Sequence, residues 1–481
     1  MKYFCGMRYF FNVLIIFVIS IQAHAQQSWN LRTVVEYAMA NNLNVKISEV
    51  QARLSGITYQ QSKLSQFPSA SFSGNTSLNS GSNQDPTSFG RITQTYISAG
   101  MQLQSSAEIF NFFSKKNTIA ANEWELQASI ANVAKLKNDI ALTAANAYLQ
   151  ILLAKEQQNI TLVQVQQSQA QLSNTRKLVD AGALPELNAA QLEAQLALDS
   201  VNYITAKGNV TQAILTLKTY MNIDAATAFE IETPPVESIP VEPIADLQPD
   251  FVYNLALANQ PLQRYNDLKL KAAEKNKDAA RGAMYPTLSA FGSLGSGYNN
   301  KAQEVISVTP INSPLGNVSV NGTSYSVFPV QPFNSYTYGK TTLSNQLSDN
   351  FRQSIGLNLS VPIFNGATLR SNYERSKVNI NTLQLFKDQD NQKLKQDIYS
   401  AYNAALIAYE KFNASAKSVS INERAFSFAN KRFEVGMLGT YDLISSQNNL
   451  LRARLEYSIN HFDYVFKMKV LEFYKGQGLK L

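Results

Sequence analysis

Two long runs of helical periodicity constrain this fold more than any other feature. Apolar residues recur at steps of three and four from about 115 to 179 and again from about 368 to 433, which is the spacing of one helix face. At about 1.5 Å per residue, each helix would be about 100 Å long. Because no ordinary globular core is that deep, the pattern predicts an elongated, mainly helical structure.

A strand is predicted directly before each long helix, at about 94–105 and at about 352–362. Apolar residues alternate with small polar residues along both segments, and this period of two is typical of a strand with two different faces. In the second strand the apolar residues are Ile355, Leu357, Leu359 and Val361, and the polar ones are Ser354, Gly356, Asn358 and Ser360.

Two partner strands are predicted at about 69–79 and 287–298. They begin directly after Phe67-Pro68 and Tyr285-Pro286, and proline is tolerated at the first residue of a strand. Each of the four strands has about ten residues, the length that crosses a bilayer as a tilted barrel strand.

The whole order of elements occurs twice. Two shorter helices, two strands, a long helix and a returning helix are predicted within 26–221 and again within 251–475, and a Pro- and Glu-rich linker at 222–250 separates these structural repeats. A C-terminal tail, 476–481, follows. The loop between the strands of the second repeat, about 299–350, is 36 residues longer than its counterpart, and Asn321-Gly322 within it predicts a hairpin.

The N-terminal 25 residues have the features of a cleaved secretory signal peptide: a basic start, an apolar run from about Phe10 to Ile21, and Ala23-His24-Ala25. An N-terminal membrane helix is the alternative interpretation. Cys5 is the only cysteine and lies in this segment, which excludes disulfides and thiol chemistry from the mature chain. We see no basic block, so nucleic acid is not an expected partner.

Four strands per chain are too few to close a barrel around a lumen, and open sheet edges are not tolerated in lipid. No stretch after residue 25 approaches eighteen apolar residues, so entry into a membrane would have to use a barrel. Several copies must therefore contribute strands. Three copies give twelve strands and a ring of helices, which predicts a homotrimer.

Aromatic residues concentrate where strands and helices meet. Such a distribution is typical of a belt at a membrane interface, in contact with outer-membrane lipid; ordinary core aromatics at element ends are the alternative. The predicted belt residues are Phe67, Phe110, Phe112, Phe113, Tyr285 and Phe364.

These features together resemble the TolC-type outer membrane efflux proteins. The resemblance rests on the duplicated plan, the ANNLNV segment after the first short helix, the Phe/Tyr-Pro strand starts, and the segments SVPIFNGATLR and VGMLGTYDLISSQ. It covers essentially the whole mature chain. It implies a mainly α fold with a β-barrel portion: a trimeric twelve-stranded outer-membrane β-barrel continued by a long periplasmic α-helical barrel.

The resemblance also implies a function and a location. Proteins of this kind are outer-membrane ducts of tripartite efflux or type I secretion systems, and they extend into the periplasm. They receive substrates from an inner-membrane pump through a periplasmic adaptor protein. The pump, the adaptor and the cargo are not identified by these residues.

Carried over residue by residue, the resemblance assigns adaptor docking to the tips of the helical hairpins, Ala181, Gly182, Ala183 and Leu184 in the first repeat and Val435, Gly436, Met437 and Leu438 in the second. A glycine at each tip is equally expected for a simple helix reversal. The acidic gate of the family matches Asp442, with Ser445 one turn later; a helix N-terminal charge is the alternative interpretation of Asp442. The segment from Gly182 to Leu187 is two residues shorter than the segment from Gly436 to Leu443. This difference places Glu186 near the position aligned with Asp442.

Three other functions are alternatives to a duct. An enzyme is disfavoured because His461 is the only histidine after the leader and no cofactor, metal or nucleophile motif is present. A trimeric coiled-coil surface or adhesion protein with a barrel anchor predicts one strand-rich terminus, whereas this chain has two internal strand pairs. A periplasmic adaptor would have one hairpin flanked by lipoyl-like strands.

Overall fold

The computed structural model of the chain describes residues 29–84, 90–235 and 239–476. The predicted signal peptide lies outside these residues, as does the C-terminal tail beyond Gly476. The chain divides into two compact units. The helical unit comprises Met1–Ile57, Glu123–Ala272 and Asn379–Leu481, and the sheet unit comprises Thr58–Asn122 and Ala273–Val378.

Nine α-helices and eight strands are present within the described residues. The helices are α1 (Leu31–Asn41), α2 (Leu43–Leu64), α3 (Ser114–Asp180), α4 (Glu186–Met221), α5 (Pro249–Asn259), α6 (Pro261–Gly282), α7 (Leu343–Asp349), α8 (Thr368–Glu434) and α9 (Thr440–Tyr474). The strands are β1 (Ser69–Gln84), β2 (Arg91–Phe110), β3 (Thr287–Asn299), β4 (Gln303–Ile311), β5 (Gly316–Val320), β6 (Thr323–Val327), β7 (Phe333–Lys340) and β8 (Arg352–Ser360). Among the helices in these ranges, none is both long enough and apolar enough to cross a membrane.

The backbone repeats its unusual conformations at one constant spacing. Left-handed φ angles occur at Phe112, Phe113, Gly182 and Asn222, and again 254 positions later at Gly366, Ala367, Gly436 and Gly476. The first two positions form the turn from strand to long helix, the third is the hairpin tip, and the fourth follows the returning helix. Because non-glycine residues rarely adopt such angles, their recurrence at one offset is a structural counterpart of the duplicated sequence.

The core of the helical unit lies where the middle of α3 meets α1, α4 and α9. Tyr148 and Ile151 of α3 are fully buried there with Leu217 and Met221 of α4. A second cluster joins α5, α8 and α9, with Ile398 and Met468 among its fully buried members. The steps of three and four in the sequence therefore mark faces that bury side chains against neighbouring helices.

The segment predicted as a linker, 222–250, is packed along the helical unit at the residues that the structure describes. Ile231 is 4% exposed and forms a β-bridge to Trp29. The Tyr148 hydroxyl donates to the Glu232 carbonyl at 2.7 Å. The Glu242 backbone N–H donates to the buried carboxylate of Glu472 at 2.8 Å. The segment thus connects the repeats as an anchored strap, because its apolar side chains and backbone groups find partners on the helices.

The sheet unit contains a four-stranded antiparallel sheet in the order β1-β2-β3-β8. The strands differ in length from the predicted ones. β1 and β2 pair as far as Gln84 and Arg91, because their polar outer ends continue the ladder without the apolar alternation that marks a strand in sequence. β8 ends at Ser360, so Val361 and Pro362 fall outside it; proline has no N–H to donate to a ladder.

The predicted loop 299–350 contains more structure than the single hairpin expected at Asn321-Gly322. That hairpin is present as β5 and β6, and both turn residues have positive φ, 53° and 82°. In addition β4 pairs with β7, and α7 follows. These elements were missed because their short Ser-, Thr- and Tyr-rich segments lack a strong periodic signal.

Candidate functional site

The four-stranded sheet has one apolar and one polar face. Residues directly opposite each other in a ladder share a face, so the register groups Phe72 with Leu103 and Leu294, and Leu288 with Leu359. The large apolar side chains are exposed in the single chain except Leu288, which is partly buried, and Ile355 is 92% exposed. The large members of this face are Phe72, Leu78, Ile97, Met101, Leu103, Leu288, Leu294, Ile355, Leu357 and Leu359.

The opposite face is built mainly from Ser, Asn, Gln and Gly. Hydroxyl and amide groups pair across it, as in the contact of 2.8 Å between the Ser293 and Ser354 hydroxyls. Phe291 is an exception, because its ring covers Gly356: a Cβ atom at Gly356 would lie 2.8 Å from the ring. A sheet of this kind presents one face suited to hydrocarbon and one suited to water.

The two outer strands of this sheet, β1 and β8, are each paired on one side only. Their other sides present rows of backbone N–H and C=O groups, which are templates for pairing with another strand. The sheet is therefore open within one chain.

The structure brings four of the six predicted belt residues into ring contact. Phe112 stacks on Tyr285 with ring centroids 4.9 Å apart, and Phe110 contacts both Phe112 and Phe113. Phe67 precedes β1 and Phe364 follows β8, and they are 68% and 87% exposed. All six side chains are exposed in the single chain, so none of them is a core residue of the chain itself.

The two hairpin tips have the same backbone geometry. Gly182 and Gly436 have φ angles of 71° and 72°. In each tip the glycine N–H donates to the carbonyl three residues earlier, and the next N–H donates to the carbonyl five residues before it, at 2.8–2.9 Å. This is the Schellman arrangement that ends a helix at a glycine. Val435 and Met437 are 68% and 67% exposed, which leaves an apolar tip accessible.

Asp442 and Ser445 lie together on the exposed face of α9, while Leu443 and Gln447 on the other side of the helix are buried. Asp442 is in the first turn of α9, where a negative charge is also favoured by the helix dipole. Both interpretations of Asp442 are therefore compatible with its position.

The two tips are followed by turns of equal length, which corrects the expectation that the first repeat is two residues shorter. Pro185 and Gly439, 254 positions apart, are the residues before α4 and α9. Leu187 and Leu443 are not equivalent residues, because Leu187 is 63% exposed whereas Leu443 is fully buried. By the constant offset, the counterpart of Asp442 is Asn188.

Glu186 belongs to an ion-pair network at the first hairpin. Its carboxylate accepts a hydrogen bond from Arg176 at 2.5 Å, and Arg176 also contacts Glu193. The three side chains form an exposed ion-pair network across the first hairpin, between α3 and α4.

A buried polar network between α3, α4 and α9 was missed in the sequence. Asp199 is 1% exposed and accepts hydrogen bonds from Ser168 at 2.5 Å and from Gln195 at 2.8 Å. Gln447 of α9 donates to Ser168, and Asn448 contacts Gln195. The only signal was the occurrence of polar residues at positions of the buried helical period. Within the described parts of the chain, no three His, Cys, Asp or Glu side chains are grouped so as to hold a metal ion.

Comparisons with known proteins agree with these features. The family model described as outer membrane efflux protein matches residues 34–222 and 252–461. The toluene efflux pump outer membrane protein TtgC of Pseudomonas putida is 20% identical over 451 residues, covering 90% of this chain and 81% of the relative. The outer membrane efflux protein BepC of Brucella suis is 21% identical over 366 residues, covering 75% of this chain and 68% of the relative.

Solved structures have the same fold. CusC, a protein described as forming a transmembrane channel, matches with a TM-score of 0.74 at 15% identity, covering 94% of this chain and 93% of that one. The CmeC outer membrane channel of Campylobacter jejuni matches with a TM-score of 0.70 at 17% identity, covering 94% and 87%. Because the family match spans both repeats, the chain belongs to the outer membrane efflux protein family.

Proposed function

We propose that this protein is the outer-membrane duct of a tripartite efflux or type I secretion system, which passes substrates delivered by an inner-membrane pump and a periplasmic adaptor. Its family consists of outer-membrane efflux channels, and relatives such as TtgC are named as outer membrane proteins of efflux pumps. Its role is passage, with no chemical step, and the driving force comes from the pump.

The observation that carries this proposal is the two-faced, open sheet. Ile355, Leu357 and Leu359 form an apolar surface suited to lipid, and the Ser-, Asn- and Gln-rich face suits an aqueous lumen. The unpaired sides of β1 and β8 need partners in a membrane. Three copies joined edge to edge supply twelve strands, so the functional form is a homotrimer. The strands β2 and β8 lead directly into helices of 67 residues each.

A second surface supports assembly of several copies. Apolar residues on α2 recur at steps of four and three, and each is more than half exposed: Leu43, Ile47, Val50, Leu54 and Ile57. A stripe with this spacing fits the seam of a helix from another copy. The helices would in this way form a closed ring below the barrel.

The proposal also assigns a role to each of the remaining site residues. The exposed aromatic residues from Phe67 to Phe364 mark the periplasmic border of the membrane. The tips at 181–184 and 435–438 dock the adaptor. Three copies of Asp442, with Ser445 beside each, surround the inner aperture, where a ring of carboxylates favours cations over anions.

Gene deletion tests the function. Loss of the protein should raise the sensitivity of the cells to toxic compounds or block secretion of a protein, and the intact chain supplied in trans should restore the original behaviour. The readouts are growth in the presence of a compound panel and the protein content of the medium. If both are unchanged and no adaptor co-purifies with the protein, the proposed function is wrong.

The docking role of the tips has its own test. Val435→Asp places a charge on an exposed apolar tip residue and should lower the amount of adaptor that co-purifies with the protein. Ser427→Asp adds the same charge to the exposed surface of α8 about two helix turns earlier and serves as the control. Equal adaptor recovery with both variants would remove the second tip from the docking surface.

A further inference from the structure

The segment between β3 and β8 forms two antiparallel ribbons, each with one apolar face. The first ribbon is β4 with β7, and the second ribbon is β5 with β6. In the first, Val305 lies opposite Tyr338 and Val308 opposite Tyr336. The alternate pairs Ser307 with Thr337 and Thr309 with Ser335 are polar, and the last pair on their face, Ile311 with Phe333, is apolar. Because opposite residues share a face and successive pairs alternate, the Val–Tyr pairs and the polar pairs lie on opposite faces.

The second ribbon repeats this pattern. Val318 lies opposite Tyr325, with Val320 and Val327 on the same face. The other face carries Asn317 opposite Ser326 and Ser319 opposite Ser324, and the Ser326 hydroxyl donates to the Asn317 side chain at 2.7 Å. All eight apolar-face residues of the two ribbons are exposed, and Tyr325 is 58% exposed. Nothing within the described chain covers these faces.

The base of the ribbons is held firmly against the sheet. Gln346 of α7 is 2% exposed; it accepts from the Asn299 N–H at 2.8 Å and donates to the Thr341 carbonyl at 3.1 Å. The Thr341 N–H in turn donates to the Ala302 carbonyl at 3.1 Å. This buried amide joins the end of β3 to the segment that follows β7, so the ribbons leave the sheet in a defined direction.

An isolated two-stranded ribbon is at best marginally stable in water, and it needs a surface against its apolar face. Contiguous exposed apolar surface of this kind marks a site of interaction with another molecule. The only charged residue on these faces is Lys340, which lies opposite Gln303 at the base of the first ribbon. Beyond this base the apolar residues are Val and Tyr without any charge, so charge pairing does not select the partner of the outer part. A matching surface is one that is itself apolar, aromatic and uncharged, as an identical face would be.

We infer that the apolar faces of the two ribbons pack against another copy of this chain, at the end of the sheet opposite the helix junctions. The inference rests on the proposed function, in which the free edge of β8 pairs with β1 of a second copy. The ribbons connect β3 to β8, its neighbour in the sheet, and β8 is that edge strand. Their base therefore lies beside the neighbouring copy, which brings identical apolar faces close together.

The test compares single cysteines on the two faces of each ribbon. Cys5 is the only native cysteine, so a Cys5→Ser background leaves one thiol per copy. Tyr325→Cys and Tyr336→Cys lie on the apolar faces, and their neighbours Ser324→Cys and Ser335→Cys lie on the polar faces as matched controls. In the detergent-purified oligomer, the cysteines on the apolar faces should react with a bulky maleimide about tenfold slower than those on the polar faces, because buried thiols are inaccessible. A short bismaleimide should link copies only through the apolar-face cysteines.

The outcomes separate the inference from the proposed function. An oligomer in which both faces react equally fast overturns the inference and leaves the duct intact. A protein that sediments as a single copy overturns both. Protection of Tyr325→Cys in native membranes but not in the purified oligomer shows that lipid covers the ribbons, which also overturns the inference. Val318→Cys, on the same face as Tyr325, repeats the measurement if Tyr325→Cys does not assemble.

Discussion

At the residue scale, the side chains that matter to this protein are distinguished by burial rather than by residue type. Asp442 follows the second tip, and Asp199 lies in α4, the helix that follows the first tip. Asp442 is exposed, whereas Asp199 is only 1% exposed. The gate role proposed for Asp442 requires this exposure. The buried one accepts hydrogen bonds from Ser168 and Gln195 and so joins helices, because a buried carboxylate needs such partners.

The first prediction at this scale concerns Asp442. Asp442→Ala should reduce the cation preference of the channel in planar bilayers and change its conductance, because in the proposed homotrimer it removes three carboxylates from the aperture. Ser445→Ala removes an uncharged group from the same exposed face and should leave the selectivity nearly unchanged. Reversal potentials in a salt gradient measure the effect. Identical reversal potentials for wild type and Asp442→Ala would exclude Asp442 from the gate.

The second prediction at this scale concerns Tyr148. Burial, with a smaller contribution from the Glu232 carboxylate, raises the pKa of Tyr148 to about 12. Above pH 10 the unfolded chain releases this proton while the folded protein retains it, so the stability from Tyr148 is complete below pH 10 and is lost as the pH rises toward 12. The loss amounts to about 2–3 kcal/mol.

Melting temperatures at pH 9 and pH 11 test this prediction. Tyr148→Phe should melt lower than wild type at pH 9, by the loss of about 1 kcal/mol for the hydrogen bond to the Glu232 carbonyl. Its further decrease at pH 11 should be smaller than that of wild type. An equal decrease in both proteins would show that Tyr148 does not contribute to the alkaline transition.

At the element scale, the turn that joins β2 to α3 is in close contact with the end of α6. Phe112 and Phe113 adopt left-handed φ angles of 47° and 62°, which non-glycine residues rarely do. The end of α6 supports this turn: the Ser114 hydroxyl donates to the Ala279 carbonyl at 2.9 Å. The second repeat uses Gly366 and Ala367 at the corresponding positions, so the geometry is kept although the residues differ.

Gly282 is predicted to be essential to this contact. A Cβ atom there would lie 2.8 Å from the Phe112 carbonyl oxygen and 2.9 Å from the Ser114 nitrogen, and backbone atoms cannot move aside cheaply. Gly282→Ala should destabilise the protein by about 1–3 kcal/mol. Gly208→Ala, within α4 and with open space around its Cβ, should instead stabilise it by about 0.5–1 kcal/mol. Thermal unfolding in detergent measures both; similar effects of the two changes would contradict the prediction.

At the scale of the whole molecule, one chain has strand edges and apolar side chains that the described residues do not cover. The sheet has two open edges, and α2 presents an exposed apolar stripe. Exposed apolar area of this extent is unusual for a protein that acts alone in water. In the proposed homotrimer these surfaces are subunit contacts, so changes on them should act on assembly before they act on the fold of one chain.

The stripe on α2 provides the prediction at this scale. Ile47→Asp places a charge in the middle of the stripe, where Ile47 is 67% exposed, and should lower the fraction of trimer. Gln51→Asp adds the same charge to an exposed position of α2 beside the stripe and should assemble normally. Light scattering of the detergent-purified proteins gives the mass of each. A full trimer yield for Ile47→Asp would place the subunit contact elsewhere.

Features that depend on local periodicity and on special backbone residues can be predicted without the structure. The long helices, the four strands of the main sheet and the glycines of both tips are visible in the sequence, because their patterns repeat regularly and because glycine readily adopts left-handed φ angles. The family followed from the order of these elements. The duplicated spacing of 254 positions appears in both the residues and the backbone angles.

The folded structure was needed to show which residues meet across long distances in the chain. It placed Asp199 beside Ser168 and Gln195, anchored the 222–250 strap through Tyr148, and made Asn188 the counterpart of Asp442. It also paired β4 with β7 across an intervening hairpin. Such contacts depend on packing between segments far apart in sequence, and no local pattern encodes them, since the same polar residue can occupy a buried helix face or a solvated one.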